Sequence, residues 1–203
     1  MSVDIRPKTK GTKKLFNNKF LESLTRTHVS IPISLFITYS AGLLYYSIVS
    51  VQVLSILETF LLFFAGLFAF TLVEYLMHRF LFHIPTNTKR RKKIQYTLHG
   101  VHHEFPKDKQ RLAMPPIMSI TLATSFLFVF KLFLGDMVFA FLPGFLVGYA
   151  GYLCMHYILH IFPPPKNRFK KLWELHAIHH YKDQTKVYGV STPLWDIVFR
   201  TMP

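Results

Sequence analysis

Along this chain, long apolar runs alternate with segments in which nearly every position is polar or basic. Four of the apolar runs match the roughly 20 residues that a helix needs to cross the hydrocarbon core of a bilayer. They extend from Val29 to Val51, Val53 to Met77, Pro116 to Leu134 and Met137 to His156. Only SVQVLSILE separates the first two and only LGDM the last two, so the pattern predicts two tight helical hairpins. The polar segments differ among themselves. Residues 1–27 read as weakly structured, with Phe16, Phe20, Leu21 and Leu24 spaced for a short amphipathic helix on a surface. TNTKRRKK at 86–93 reads as a solvated loop, and FPPPKNR at 162–168 must end the fourth span, because consecutive prolines cannot continue a helix. RFKKLWELHAIHH then resumes a helical period.

Composition sharpens this picture. Of 203 residues, 51% are hydrophobic and 21 are Phe, too apolar for an ordinary soluble domain, yet the net charge is +14. The charge is confined: residues 1–28 hold seven Lys and Arg, 79–115 hold nine, 161–203 hold seven, and Lys131 is the only other one. By the positive-inside rule the N-terminus, the central loop and the C-terminal tail are cytoplasmic, as an even number of spans requires. No nucleic-acid recognition signature accompanies the basic residues, so they are read as setting topology and meeting anionic lipid. The one cysteine, Cys154, excludes an intrachain disulfide, and no cleavable signal pattern precedes the first span. Within the spans, Lys131 and Glu58 fall near the non-cytoplasmic interface. Glu74 lies one helical turn before His78 and shares its face.

The candidate chemistry is carried by histidine. Ten of the eleven fall into four clusters: His78 and His83; His99, His102 and His103; His156 and His160; His176, His179 and His180. His28 stands alone and is read as an ordinary interfacial side chain. Two clusters have the form H-x-x-H-H, which places three rings on one helical face, and His156 and His160 are an i, i+4 pair. His78 and His83 are five apart, so a helix end or a local bulge is needed to bring them together. The predicted topology delivers all ten to one side of the membrane. Neutral imidazole binds iron, zinc, copper and nickel. One ion takes roughly four to six ligands, so ten predict two ions with about five each and an open position for catalysis. All-imidazole ligation suits di-iron and di-zinc alike. A metal transporter or sensor is the alternative class, although transporters place their ligands at mid-bilayer.

The segments EYLMHRFLFH, LHGVHHEFPKDKQRLAMPP, HYILH and LHAIHHYKDQTKVYGVSTPLWDIVFRT resemble, in order, the histidine boxes of the fatty acid hydroxylase/sterol desaturase superfamily. Within it they look most like the fatty acid 2-hydroxylases that act on sphingolipid acyl chains. The resemblance covers roughly residues 50–203. It implies an all-α membrane protein: four transmembrane helices in two hairpins under a cytoplasmic helical cap (78–115 and 161–203) that carries a di-metal histidine site. A basic N-terminal segment (1–28) then precedes a membrane hydroxylase domain (29–203). The family's ligands carry over to all ten clustered histidines. The implied reaction is oxygen-dependent hydroxylation of an acyl chain, with two metal ions, iron in the active enzyme and zinc possible as purified. Glu74, Glu104 and Asp196 are the carboxylates expected to orient ligating rings. The likeness departs at Leu153, where close relatives often carry Asp. It also departs at the short N-terminus, which has no room for a fused haem domain, so the expected electron donor is a separate protein. An acyl chain entering from the bilayer would rest its carboxyl end under the cap, favouring oxidation at C2. The expected setting is a bacterial inner membrane or the endoplasmic reticulum. A carotenoid or sterol hydroxylase or a desaturase of the same superfamily is the nearer alternative.

Overall fold

The computed structural model describes residues 5–203, and all regular secondary structure among them is helical. In chain order the helices are α1 (Lys19–Ser23), α2 (Ser30–Tyr46), α3 (Ile56–Leu76), α4 (Lys89–Gln95), α5 (Val101–Glu104), α6 (Pro116–Leu134), α7 (Val138–Ile161), α8 (Lys170–Tyr181) and α9 (Leu194–Val198). Three stretches are long and apolar enough to cross a membrane: Ser30–Val51, Ile56–Phe82 and Pro116–Ile161. The first two are α2 and α3, each prolonged by a π-helical turn, and the third joins α6 to α7. Large side chains on these helices face outward, with Ile56, Leu132 and Phe133 at 91%, 82% and 80% exposure. Water would not tolerate so extensive an apolar surface, and the chain is an integral membrane protein.

Local signals account for where these helices begin and end. Ser55 and Glu58 form a capping box at the start of α3, Ser55 N–H donating to Glu58 Oε2 at 2.8 Å, which explains a carboxylate at a membrane edge. Gly135 closes α6 at φ 55°, a conformation open to a residue without Cβ. Beyond it α7 packs back on α6, and Phe126 and Phe130 meet Phe145 at 5.0 and 5.3 Å between ring centroids. Phe162 to Pro165 ends α7, as the prolines require.

The core is built around α7. Val138, Leu142, Phe145, Leu146 and Leu153 on this helix are all buried, and Phe36 of α2 and Phe70 of α3 close on it from two sides. The hairpin pattern suggests α2 against α3, yet both helices pack chiefly on α7. Glycine is the reason for the closest of these contacts. A Cβ at Gly144 would lie 1.8 Å from the carbonyl oxygen of Phe63, and one at Gly66 2.0 Å from that of Phe141. The backbones of α3 and α7 therefore touch, as small residues permit between membrane helices.

Two segments outside the spans differ from the pattern's expectation. Residues 89–95 of the basic run are helical, capped by Thr88 Oγ1 accepting from Arg91 N–H at 3.2 Å, because Lys and Arg are good helix formers once a cap starts the turn. The N-terminal amphipathic helix is only the five residues of α1, and Phe16 lies before it. The chain from Ile5 to Thr27 is nevertheless pinned to the segment that follows α5, with Thr27 N–H donating to Gln110 O at 2.9 Å. The C-terminal tail is clipped to α3: Trp195 Nε1 donates to Thr71 Oγ1 at 2.9 Å, and Tyr75 stacks on Phe199 at 5.2 Å.

Gly144→Ala is expected to destabilise the protein by roughly 1–3 kcal/mol through forced separation of α3 and α7. Gly42→Ala, where nothing lies within 4 Å of an added Cβ, is the matched control and should not lower the unfolding temperature in detergent. Equal melting of the two variants would remove the close α3 and α7 contact from the account.

Candidate metal centre

The ten clustered histidines converge into two groups of five. One holds His78, His83, His99, His103 and His179; the other holds His102, His156, His160, His176 and His180, and in each the candidate ligand atoms lie within 4.8 Å of one another. His28 is in neither; it is exposed, with Nδ1 2.8 Å from Ser30 Oγ. Each group draws two rings from one membrane-facing helix end, α3 or α7, and three from the two H-x-x-H-H segments.

The two H-x-x-H-H segments are shared out between the groups. His99 and His103 join the first while His102 joins the second; His179 joins the first while His176 and His180 join the second. Successive residues of an α-helix point about 100° apart, so the adjacent pairs His102/His103 and His179/His180 cannot aim at one point. The i, i+4 partners can, and do. For His78 and His83 the bulge that their spacing demands is present: the chain is π-helical from Met77 to Phe82, and His83 N–H donates to His78 O at 3.2 Å.

Within the groups Nε2 atoms approach one another closely, at 3.1 Å for His78 and His99, 3.0 Å for His83 and His179, 3.1 Å for His102 and His156, and 2.8 Å for His160 and His176. Two nitrogens each about 2.1 Å from a common ion, at right angles, stand about 3.0 Å apart. The far side of two rings is tied to backbone. His78 Nδ1–H donates to Tyr188 O at 2.5 Å and His179 Nδ1–H to Lys186 O at 2.7 Å, leaving each Nε2 with its lone pair inward. Buried nitrogens elsewhere have no hydrogen-bond partner among the described residues, namely Nδ1 of His102, His176 and His180 and both nitrogens of His103. Burial, with the neighbouring imidazoles, pushes His83 down to about 2 and His179 to about 3, and drives His99, His102, His103, His176 and His180 well below the usual value. These rings are neutral at pH 7. The donor set fits cations of the kind that imidazole prefers.

The three carboxylates do not touch an imidazole directly. Glu74 shares the His78 face of α3, but Oε1 accepts from Val190 N–H at 2.7 Å and Ser191 N–H at 2.9 Å, and Oε2 from Ser191 Oγ at 2.5 Å. Asp196, fully buried, accepts from Tyr188 N–H and Gly189 N–H at 2.8 Å each and from Thr201 Oγ1 at 2.6 Å. Together they fix the loop at 187–191, so that the Tyr188 carbonyl meets His78. The loop is tight: Val187 has φ 56°, and a Cβ at Gly189 would lie 2.2 Å from Thr192 O. Glu104 faces away from the rings, toward Lys8 at 2.5 Å and the Tyr96 hydroxyl. The orienting carbonyls of Tyr188 and Lys186 left no trace in the sequence, since any residue type supplies a backbone oxygen; the one readable sign was Asp196 in STPLWD.

Two cavities open onto the histidines. An apolar one of about 370 Å³ reaches His99, His102 and His156 and is lined by Met118, Tyr149 and Leu153 on the side of the spans. Another, of about 550 Å³, reaches His160, His176 and His180 from the side of α8, past Lys107, Trp173 and Glu174.

Residues 63–201 match the family model described as fatty acid hydroxylase. A ceramide very long chain fatty acid hydroxylase of Schizosaccharomyces pombe is 38% identical over 94% of this chain and 55% of its own length. A dihydroceramide fatty acyl 2-hydroxylase of Arabidopsis thaliana is 41% identical over 68% of this chain and 59% of its own. The chain thus spans between one half and two thirds of the length of these relatives. Among solved structures, the hydroxylase domain of scs7p superposes with a TM-score of 0.84 at 34% identity, covering 96% of this chain and 73% of that one.

Asp196→Ala strands two buried N–H groups, at roughly 1–3 kcal/mol for each. The variant should melt at lower temperature in detergent and exchange the amide hydrogens of residues 187–191 faster. Unchanged exchange there would show that Asp196 does not hold the loop.

Proposed function

The chain belongs to the fatty acid hydroxylase family, and from that membership and the geometry of its histidines we propose that it is a membrane-bound di-metal oxygenase that hydroxylates a fatty acyl chain at C2. The observation that carries the proposal is the pair of five-imidazole groups at the end of an apolar cavity. His78, His83, His99, His103 and His179 would hold one ion, and His102, His156, His160, His176 and His180 the other. Iron is the ion expected in the active enzyme, with zinc able to occupy the same nitrogens. When bound, the ions supply the activation of O2 and, with two electrons and two protons, its division between the acyl product and water.

The chain's own residues do the remaining work. The neutral rings offer nitrogen donors without adding negative charge, and Tyr188 O and Lys186 O fix the tautomers of His78 and His179 with Nε2 lone pairs inward. Glu74 and Asp196 keep the Tyr188 carbonyl in place through the loop they bind. The apolar cavity excludes water and confines the substrate. An acyl chain lying in it with its carboxyl end at the cap presents a carbon next to that end to His102 and His156.

The proposal includes four spans in two hairpins, with both termini and the cap cytoplasmic. The 46 residues of Pro116–Ile161 would extend about 69 Å as one straight helix, more than twice the roughly 30 Å hydrocarbon core, and Gly135 breaks them. The distribution of Lys and Arg supports the orientation. Electrons would come from a separate carrier, and the basic cap, including Lys89 to Lys93 and Lys170, favours an acidic one.

Purified protein should carry two ions per chain, and a host expressing it should accumulate lipids that gain one oxygen at C2 by mass spectrometry. His179→Ala should lower the metal content and cut product by more than about 100-fold, beyond the usual cost of losing an orienting partner. Full hydroxylation by a metal-depleted His179→Ala variant, or oxygen at a position remote from the carbonyl, would sink this reading.

A further inference from the structure

The N-terminal segment lies across the histidine-bearing cap and is bound to it along its length. Ile5 is buried, and its Cδ1 lies 3.1 Å from where a Cβ on Gly100 would stand. Lys8 N–H donates to Glu104 O at 2.7 Å. The main fastening is Arg111, whose side chain is 2% exposed. Its guanidinium donates to Glu22 Oε1 and Lys13 O, both at 2.6 Å, and to Thr25 Oγ1 at 2.9 Å. Glu22 in turn accepts from Leu15 N–H at 2.8 Å, Phe16 N–H at 3.0 Å and Arg26 Nε at 3.1 Å. Although burial would raise it, these donors and the Arg111 charge hold the Glu22 carboxyl down at about 2, so the pair stays ionised at neutral pH.

This fastening has a geometric result. It presents Leu15, Phe16, Leu21 and Leu24 as one wall of the 370 Å³ cavity that ends at His99, His102 and His156. Met114 just before α6, Met118 of α6 and Tyr149 of α7 also line it. The space is within the roughly 300–1,000 Å³ typical of small-molecule sites. Its walls are mostly apolar, with Thr25, Thr97 and Arg111 among them, and it runs from residues of the membrane helices to the histidine groups. A fatty acyl chain drawn from a bilayer lipid is the occupant that matches both ends. The wall also lies before residues 63–201, the part that matches the family model.

We propose that residues 15–25 are the specificity-determining wall of the acyl-chain site, Leu15, Phe16, Leu21 and Leu24 limiting the length and bulk of the chain, and Arg111 latching that wall to the cap through Glu22. The inference rests on the hydroxylase reading for the identity of the reaction, but the binding site it names is observable without turnover. The bulk of Leu24 and Phe16 on this wall limits the room left for the chain. Neither ring nor branch contributes a donor to the metal groups, so their replacement acts on the substrate alone.

The test uses the full metal-loaded chain in detergent with a fatty acid bearing a diazirine at its methyl end. After irradiation, label should map to Leu21, Leu24 or Met118 and fall on competition with unlabelled fatty acid. Label confined to the outward faces of the spans, at Phe60, Leu61 or Phe128, would overturn the proposal. A second arm follows product chain length. Leu24→Trp should cut kcat/KM for the longest substrates roughly tenfold or more while the shortest are spared, and Phe16→Ala should shift preference toward longer chains. Glu22→Gln, which keeps the shape and loses the charge, should blur the length preference while leaving two ions per chain. An unchanged length profile in all three variants would overturn the wall's role. If the wild type forms no hydroxylated lipid yet label enters the cavity, the hydroxylase reading fails and the acyl site stands.

Discussion

Ten imidazoles packed into so small a buried space impose the constraint on which the rest of the molecule depends. Removed from water, an imidazole gives up its proton, so each ring is neutral with one lone-pair nitrogen. In each group five ring nitrogens crowd within 4.8 Å of one another, and a buried polar atom left unpaired costs about 1–3 kcal/mol. A cation coordinated by these nitrogens would relieve that cost. The rest of the chain holds these rings, which would otherwise move apart, in two groups whose nitrogens fit metal ions.

That holding is distributed over elements far apart in sequence. The floor of each group is a helix end, α3 for one and α7 for the other, and the distance between them is set where Gly66 and Gly144 let two backbones touch. The roof comes from α5 with the π-turn before it and from α8, which carry the rings that cross between groups. The tail then returns to α3, where Glu74 and Asp196 hold the Tyr188 carbonyl against His78. Buried carboxylates are thus used on backbone amides, which are fixed in position, and through them on a ring.

The two cavities give the metal groups different neighbours. One is apolar, lies beside the membrane helices and is closed by the N-terminal segment; the other is lined in part by Lys107 and Glu174 on the side of α8. The two cavities reach different members of the group that holds His102, His156, His160, His176 and His180, the first touching His102 and His156 and the second His160, His176 and His180. Leu153 is buried in the wall of the apolar cavity beside His156 and keeps that wall apolar.

The clustering of ten histidines, their division into two sets of about five and the bulge between His78 and His83 were legible in the order of residues alone. Ligand type and spacing are one-dimensional properties, and helical periodicity turns spacing into direction. The expectation that each H-x-x-H-H segment puts three rings on one face was not met: adjacent residues point about 100° apart, and each segment is divided between the two groups. Which ring joins which group required the folded chain, because it depends on where α3, α7 and α8 place their axes. So did the touching backbones at Gly66 and Gly144, since a glycine is informative only once its neighbour is known. The helix at Lys89–Gln95 escaped a reading based on charge because a single Thr88 cap decides it. The carbonyls of Tyr188 and Lys186 and the Arg111 latch lay beyond reach for one reason: contacts made by backbone atoms, or by side chains 86 to 110 residues from their partners, leave no local pattern. The sequence by itself determined a membrane protein with two imidazole sites, through composition and period. Tertiary structure decided how those imidazoles are partitioned, oriented and enclosed, because these are matters of distance between segments that the chain order does not encode.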